Sequence, residues 1–223
     1  MAGKKIVLCS ASPRRQLLLK EIGFLFEIRK KEVAENFPGH LKADKVAVFL
    51  AEKKMLAIGN EFQANAVYIT ADTIVWLDDE VLGKPVDKDD AIRMLKKLSG
   101  KTHQVLTAVC LSSFDRKEVF CVKSDVLFNE LSHEEIKSYV EHFAPFDKAG
   151  SYGAQECLPE GLNPCSKEEI DFLHSIHQHD LFERTLSKNQ KHVPMIKRIQ
   201  GSYFNVMGLP VVELYQALKK WHL

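Results

Sequence analysis

The chain has 223 residues, of which 45% are hydrophobic and 27% are charged, and its formal net charge is +1. This length can bury the core of one large domain or of two small, closely packed lobes. The near-neutral charge argues against a protein that follows a nucleic acid backbone, because such proteins carry a basic excess. The sequence contains no run of about 18 apolar residues, so we expect no segment that spans a membrane. The apolar segment after residues 1–5 is too short for the hydrophobic core of a secretory signal.

The cysteines indicate the compartment. There are five cysteines, an odd number, namely Cys9, Cys110, Cys121, Cys157 and Cys165. Three of the five lie in apolar, strand-like runs. Such a set favours reduced thiols over a disulfide framework. The sequence therefore predicts a cytoplasmic protein whose anionic partner is small, with neither a nucleic acid polymer nor a membrane as partner.

Apolar residues recur with period two in short runs and with helical spacing in longer ones, and the two kinds alternate along the chain. The predicted strands are 5–9, 26–29, 66–77, 81–82, 102–112 and 118–129, and the predicted helices are 13–22, 43–57, 87–98, 132–143 and 210–220. This order predicts an α/β fold with a central mixed, twisted sheet flanked by helices, and two lobes around a cleft. A strand ending at Gly208 is expected before the last helix.

Residues 157–196 differ in character from the rest and are predicted to be an excursion inserted within a single domain that covers 1–223. A capping box at Ser166 opens one candidate helix there. The segment holds four of the nine histidines, namely His174, His177, His179 and His192, together with Cys165. A zinc site is one interpretation of these residues, and a mobile or partner-binding lobe is the other. We expect a lid that a short Gly/Ser linker could replace without unfolding the protein.

The hexapeptide Ser10-Ala11-Ser12-Pro13-Arg14-Arg15 directly follows the first predicted strand. Ser12 can cap a helix whose first residue is Pro13, because the fixed φ of proline suits that position. The free amides of such a helix start, with two hydroxyls and two guanidiniums beside them, favour phosphate oxygens. An ordinary helix start with a solvated arginine pair is the alternative.

Asp72 lies near the middle of an otherwise apolar strand, within Thr70-Ala71-Asp72-Thr73. A carboxylate in that setting is disfavoured by strand propensity and by burial, so something must compensate its charge. A metal ion or a positioned water would do so, and a hydrogen bond to a neighbouring loop is the alternative.

Four further side chains are weaker candidates. Lys84 stands in the rigid turn Gly83-Lys84-Pro85, from which it could place a charge over a phosphate. Lys53 and Lys54 lie on a helix with a broad apolar face, and a solvated edge is the plain interpretation of both. Gln155 ends a glycine-punctuated stretch that could approach a ligand closely or form a simple turn.

Four ordered blocks of the sequence resemble the Maf (septum-formation-inhibitor-like) nucleotide pyrophosphatases. They are SASPRR at 10–15, ITADTIV at 69–75 with LGKP at 82–85, LSGKTH at 98–103, and DKAGSYG-Q at 147–155 with GSYFNVMGLP at 201–210. The resemblance covers nearly the whole chain except 157–196, and the arginine-bearing first block is more similar to the branch that prefers dTTP and UTP.

The resemblance implies a role for each matching residue. Asp72 would be the central catalytic carboxylate, with Glu35 beside it at a divalent metal, Mg²⁺ or Mn²⁺. Ser10, Ser12, Arg14 and Arg15 would bind the triphosphate, Lys54 and Lys84 would add charge in the catalytic site, and Gln155 would lie near the substrate. Two positions depart from the family pattern: Ala34 replaces the first acid of a usual acidic pair, and Gln200 stands where an acid is more usual.

The expected reaction is hydrolysis of a nucleoside triphosphate between its α and β phosphates, releasing a monophosphate and pyrophosphate. Phosphoryl chemistry asks mainly for positioning and charge neutralisation, which arginines, lysines and a divalent ion supply. Two rival functions remain open: a non-catalytic nucleotide-binding regulator of cell division, and a house-cleaning pyrophosphatase for modified purine nucleotides. Homodimer formation is also left open.

Overall fold

A seven-stranded sheet organises the computed structural model, which describes residues 4–59, 62–186 and 193–223. Its strands are β1 (Lys5–Leu8), β2 (Phe26–Ile28), β3 (Ala66–Leu77), β4 (Glu80–Leu82), β5 (Thr102–Ser112), β6 (Lys117–Phe128) and β7 (Ile196–Gln200). The strand order is β2-β1-β3-β5-β6-β7, with β4 paired to β3 off this path.

The sheet is mixed in direction. Strand β1 pairs in parallel with both β2 and β3, which needs crossover connections, whereas β4 pairs antiparallel with β3 and β7 antiparallel with β6. The crossovers between parallel strands carry helices, as such connections usually do. The predicted α/β class and the mixed sheet are therefore confirmed.

Nine α-helices accompany the sheet in the described part of the chain. They are α1 (Pro13–Glu21), α2 (Asp44–Leu56), α3 (Lys88–Leu98), α4 (His133–Phe143), α5 (Ala154–Cys157), α6 (Lys167–Ser175), α7 (Leu181–Thr185), α8 (Tyr203–Met207) and α9 (Val211–Lys220). Ser132 and Ser166 each form both hydrogen bonds of the predicted capping boxes, at the starts of α4 and α6. These serine signals located both helix starts correctly.

The expectation of a strand ending at Gly208 is wrong, because residues 203–207 form α8 instead. Two groups satisfy its first amides. The Ser202 hydroxyl accepts the Asn205 N–H at 2.9 Å, and the Glu169 carboxylate accepts the N–H groups of Tyr203 and Phe204, each at 3.0 Å. The serine was a local signal for a helix start, but the carboxylate comes from a distant part of the sequence.

The chain divides into two compact units, each with its own core. Unit 1 comprises Met1–Thr73, Leu106–Val122 and Gly208–Leu223, and unit 2 comprises Ile74–Val105 and Lys123–Met207. Within the described residues no helix is both long and apolar enough to cross a membrane. All five cysteines are free, as predicted.

The segment 157–196 contributes to the core of unit 2. Its fully or nearly buried apolar side chains are those of Cys157, Leu158, Leu173, Leu181, Phe182, Met195 and Ile196. Burial of a large apolar side chain stabilises a folded unit by roughly 1.5–3 kcal/mol. Removal of this segment would therefore take several such contributions from unit 2. The expectation that a short linker could replace this segment without unfolding the protein is therefore withdrawn.

The histidines of this segment do not make a metal centre among the residues the structure describes. His174 and His179 have ring centroids 4.6 Å apart, and His177 lies 6.3 Å from His179. No group of three or more His, Cys, Asp or Glu side chains suited to a metal ion occurs in 4–59, 62–186 or 193–223. His192 lies outside these ranges, so the zinc interpretation has no support from the described residues.

One buried carboxylate ties the segment to the rest of unit 2. Glu169 is only 1% exposed, and besides the two α8 amides it accepts the Ser202 hydroxyl at 2.6 Å and the Ser166 N–H at 2.9 Å. Four donors on one carboxylate satisfy its oxygens completely. Hydrogen bonds to a charged group are stronger than neutral ones, so Glu169 joins the start of α6 to the start of α8 firmly.

We expect Glu169→Ala to lower the free energy of unfolding by about 3 kcal/mol, because it leaves several buried donors without an acceptor. Urea unfolding followed by circular dichroism measures the loss, and Glu169→Gln should lose less because its amide oxygen still accepts. The matched control is Glu168→Ala, since Glu168 is the exposed neighbour in the same helical turn. Equal destabilisation by the two alanine variants would contradict the assignment.

Candidate active site

The loop between β1 and α1 forms the helix start that the sequence predicts. Ser12 occupies the N-cap position, its hydroxyl accepts the Arg15 N–H at 3.5 Å, and Pro13 is the first helical residue. The Ser10 hydroxyl accepts the Ser12 N–H at 3.1 Å, and its carbonyl accepts the Gln16 side chain at 3.2 Å. Both hydroxyls therefore shape the loop itself, as an N-terminal cap does.

The buried Asp72 carboxylate has several charged neighbours within unit 1. It lies within β3 with a side chain 7% exposed, and the Lys54 ammonium forms an ion pair with its Oδ1. The same ammonium contacts Glu35 Oε1 at 3.0 Å, where the glutamate side chain is 41% exposed. One lysine thus joins the buried carboxylate to a second one at the surface.

Burial raises the pKa of Asp72, while the nearby positive charges of Lys54 and Arg15 act in the opposite direction. Removing water from a carboxylate disfavours its ionised form, and adjacent cations restore that form. Asp72 therefore depends on the cations around it to carry a charge inside the strand. A buried carboxylate with specific charge partners is the arrangement often found at active sites.

Helix α2 and the loop after β2 deliver Lys54 and Glu35 to this point. The buried Thr70 hydroxyl donates to the Ala51 carbonyl at 2.7 Å, which fixes α2 against β3 one turn before Lys54. Lys53 donates to the Asn36 carbonyl at 2.9 Å and to its side-chain oxygen, next to Glu35. Two consecutive lysines therefore hold the loop. Lys54 pairs with the buried Asp72, which a solvated edge does not predict, whereas the hydrogen bonds of Lys53 are exposed, as a solvated edge predicts.

Arg15 directs its side chain into unit 1. Its Nε donates to the Gly208 carbonyl at 2.8 Å, Nη1 to the Ala71 carbonyl at 2.9 Å, and Nη2 to Thr73 Oγ1 at 2.9 Å. Burial lowers the pKa of this guanidinium, and Asp72 opposes that effect. These protein acceptors differ from the phosphate oxygens that the sequence predicts for Arg15.

The other predicted site residues have different surroundings. Arg14 is half-buried and makes no hydrogen bond or ion pair with the described residues, so its donors are available to an anion. Lys84 and Gln155 belong to unit 2, where Lys84 is exposed and the Gln155 side-chain amide donates to the Thr185 carbonyl at 3.2 Å. The structure thus brings together Ser10, Ser12, Arg15, Glu35, Lys54 and Asp72 in unit 1.

Sequence analysis did not select Thr73, although it stands directly after Asp72. Its hydroxyl accepts from Arg15 and also shares a hydrogen bond of 2.9 Å with the buried Thr107 of β5. The two threonines connect the strand that carries Asp72 with the neighbouring strand. The sequence did offer one signal for Thr73, since its hydroxyl stands directly beside the single acid of an apolar run.

The chain matches the model of the family described as Maf-like protein over residues 5–161, which includes every site residue named above except Gly208 and Thr185. It belongs to the Maf-like family. The matched range includes Asp72, Lys54 and Glu35, and the roles of these residues stay predictions.

Curated relatives of this Maf-like chain align with it almost from end to end. A protein of Phocaeicola vulgatus named dTTP/UTP pyrophosphatase is 42% identical over 217 residues, covering 97% of this chain and 95% of the relative. Proteins of the same name from Flavobacterium psychrophilum and Porphyromonas gingivalis are 39% and 40% identical, covering 95% and 96% of this chain and 91% and 93% of the relatives. The matched length therefore extends well beyond residue 161.

Solved structures resemble the Maf-like chain more distantly. The Ham1 protein of Staphylococcus aureus is 14% identical, with a TM-score of 0.41, and the match covers 57% of this chain and 73% of that one. A HAM1 protein from Coxiella burnetii gives 12% identity and a TM-score of 0.38, covering 56% and 73%. A likeness of this size carries no argument about fold or activity.

We expect Lys54→Met to lower the free energy of unfolding by about 2 kcal/mol, because it removes the nearest cation from a buried carboxylate. Adding Asp72→Asn should recover most of that loss, since the neutral amide no longer needs the cation. Chemical unfolding of both single variants and the double variant measures the coupling. Lys53→Met is the control on the same helix, and strictly additive losses from Lys54→Met and Asp72→Asn would refute the pairing.

Proposed function

We propose that this chain hydrolyses the α–β phosphoanhydride of dTTP and UTP, releasing a nucleoside monophosphate and pyrophosphate. The observation that carries the proposal is the buried Asp72 carboxylate joined through Lys54 to Glu35 in a Maf-like chain. The name dTTP/UTP pyrophosphatase, borne by relatives up to 42% identical, supplies the substrate class. Hydrolysis of this kind needs no covalent nucleophile, because a water held by a carboxylate can attack the phosphorus.

In this proposal Asp72 and Glu35 also hold a divalent cation, Mg²⁺ or Mn²⁺. The donor set fits, since both supply hard carboxylate oxygens and the region already accommodates the positive charge of Lys54. Such ions commonly take only one or two carboxylates from the protein and complete their shell with water and phosphate oxygens. The cation would neutralise phosphate charge and lower the pKa of a water.

The phosphates are assigned to the start of α1 and to the cations near it. The positive end of the α1 dipole favours anions, and Ser10 and Ser12 fix the loop there by accepting the N–H groups of Ser12 and Arg15. Arg14, whose donors are available, and Lys54 would contact the charge that develops on the departing pyrophosphate. The roles of Lys84 and Gln155, which belong to unit 2, stay predictions from the resemblance.

A cytoplasmic location and a small-molecule partner complete the proposal. Free cysteines fit a reducing compartment, and Cys110 and Cys157 are buried as thiols. A formal net charge of +1 suits local binding of one nucleotide rather than the tracking of a polymer.

We expect purified protein with Mg²⁺ or Mn²⁺ to release pyrophosphate from dTTP and UTP faster than from other canonical triphosphates or from inosine triphosphate. A coupled pyrophosphate assay across the panel gives kcat/KM, and chromatography of the products distinguishes a monophosphate from a diphosphate. Formation of the diphosphate and inorganic phosphate would place the cut at the wrong bond. A preference for the modified purine would favour the house-cleaning function instead.

We expect Asp72→Asn to lose nearly all turnover while nucleotide binding stays measurable, because the amide keeps the shape of the carboxylate but cannot take a proton. Calorimetric titration with dTTP separates binding from rate. A matched control is Asp89→Asn, which neutralises an exposed acid in the first turn of α3. Retention of a rate within about threefold of the wild type would remove Asp72 from the centre of the mechanism.

A further inference from the structure

The two adjacent arginines after Pro13 have different partners. Arg14 makes no hydrogen bond or ion pair with any described residue, whereas Arg15 donates from each of its three nitrogens to acceptors of unit 1. A guanidinium has five N–H donors in a fixed planar fork, so three of the five are committed here. The sequence, which places both arginines in one motif, gives no basis for this difference.

Two of the three acceptors flank the catalytic candidate. Nη1 bonds the carbonyl of Ala71 and Nη2 bonds the hydroxyl of Thr73, so one rigid fork holds the residues immediately before and after Asp72. Because the fork is planar, it fixes the separation of these two groups and with it the backbone geometry of Asp72. The Thr73–Thr107 hydrogen bond extends the same restraint to β5.

The third acceptor explains a glycine near the end of the chain. Gly208 has a φ of +108°, a conformation that side-chain-bearing residues rarely adopt, and its carbonyl accepts Arg15 Nε. A Cβ at this position would lie 3.4 Å from Thr73 Oγ1 and 3.8 Å from Arg15 Nε. These distances are ordinary van der Waals contacts, so it is the positive φ, rather than lack of space, that favours glycine where the carbonyl meets Arg15.

We propose that Arg15 is a positioning residue for the reaction, which sets the orientation of the Asp72 carboxylate by clamping Ala71, Thr73 and Gly208, rather than a ligand of the triphosphate. This inference rests on the proposed function, because it assigns a role within that same site. In this division, Arg14 binds phosphate, and Arg15 holds β3, the strand that carries Asp72. Loss of the clamp should act on the chemical step, and loss of Arg14 on binding.

Steady-state kinetics with dTTP test the division on Arg14→Ala, Arg15→Ala and Arg15→Lys, together with the inhibition constant of added pyrophosphate at fixed Mg²⁺. For Arg15→Ala we expect kcat per folded molecule to fall about 100-fold, the cost typical of a slight misplacement, with KM and the pyrophosphate inhibition constant within about threefold of the wild type. Arg14→Ala should instead raise both constants about tenfold. Arg15→Lys should recover only part of kcat, because an ammonium cannot span three acceptors.

A rise in the pyrophosphate inhibition constant for Arg15→Ala as large as that for Arg14→Ala would overturn the proposal and make Arg15 a phosphate ligand. An unchanged kcat for folded Arg15→Ala would overturn it too, since the clamp would then be structural only. If that variant fails to fold, Thr73→Val takes its place, because it removes one acceptor while keeping the branched shape. It should lower kcat more than it raises KM, and the reverse split would reject the clamp.

The wild-type assay separates this inference from the proposed function. If the wild type releases no pyrophosphate from any triphosphate, the proposed function fails and the positioning role fails with it. If the wild type is active and the Arg15 variants behave like Arg14→Ala, the function stands and only the clamp is rejected.

Discussion

The arrangement of unit 1 depends on one carboxylate that is buried inside an apolar strand. Asp72 replaces an apolar side chain in the middle of β3, where burial alone would favour its neutral form. Lys54 and Arg15 approach it from two helices and supply the opposite charge, while Glu35 shares the lysine. The buried carboxylate and its cations are what distinguish β3 from an ordinary apolar core strand.

Local structure places those cations accurately because the elements that carry them are fixed independently. Thr70 fastens α2 to β3, so the position of Lys54 follows from the helix rather than from its own flexible side chain. Arg15 stands in the first turn of a helix whose start Ser12 and Pro13 determine. Groups held by rigid elements lose little entropy when a ligand binds, which is the condition that efficient catalysis requires.

The sequence predicted what local signals encode. Serine capping boxes located α4 and α6, Pro13 located α1, and the acid within an apolar strand selected Asp72. It could not predict features whose causes lie far along the chain. Helix α8 depends on Glu169, more than thirty residues earlier, and the partners of Arg15 lie 56 to 193 residues away. Such contacts follow from the folded topology, and no periodicity in the chain records them.

The hydrogen bond between Arg15 and Gly208 joins residues 193 positions apart, so it can form only late in the synthesis of the chain. At about 10 residues per second, the ribosome makes Gly208 roughly 20 seconds after Arg15. Throughout that interval the fork lacks one of its three acceptors, whatever the state of β3. A nascent chain or a fragment that stops before Gly208 cannot form the third hydrogen bond of the Arg15 guanidinium. The Arg15 guanidinium therefore reaches all three of its acceptors only after residue 208 has been synthesised, although two of them lie within β3.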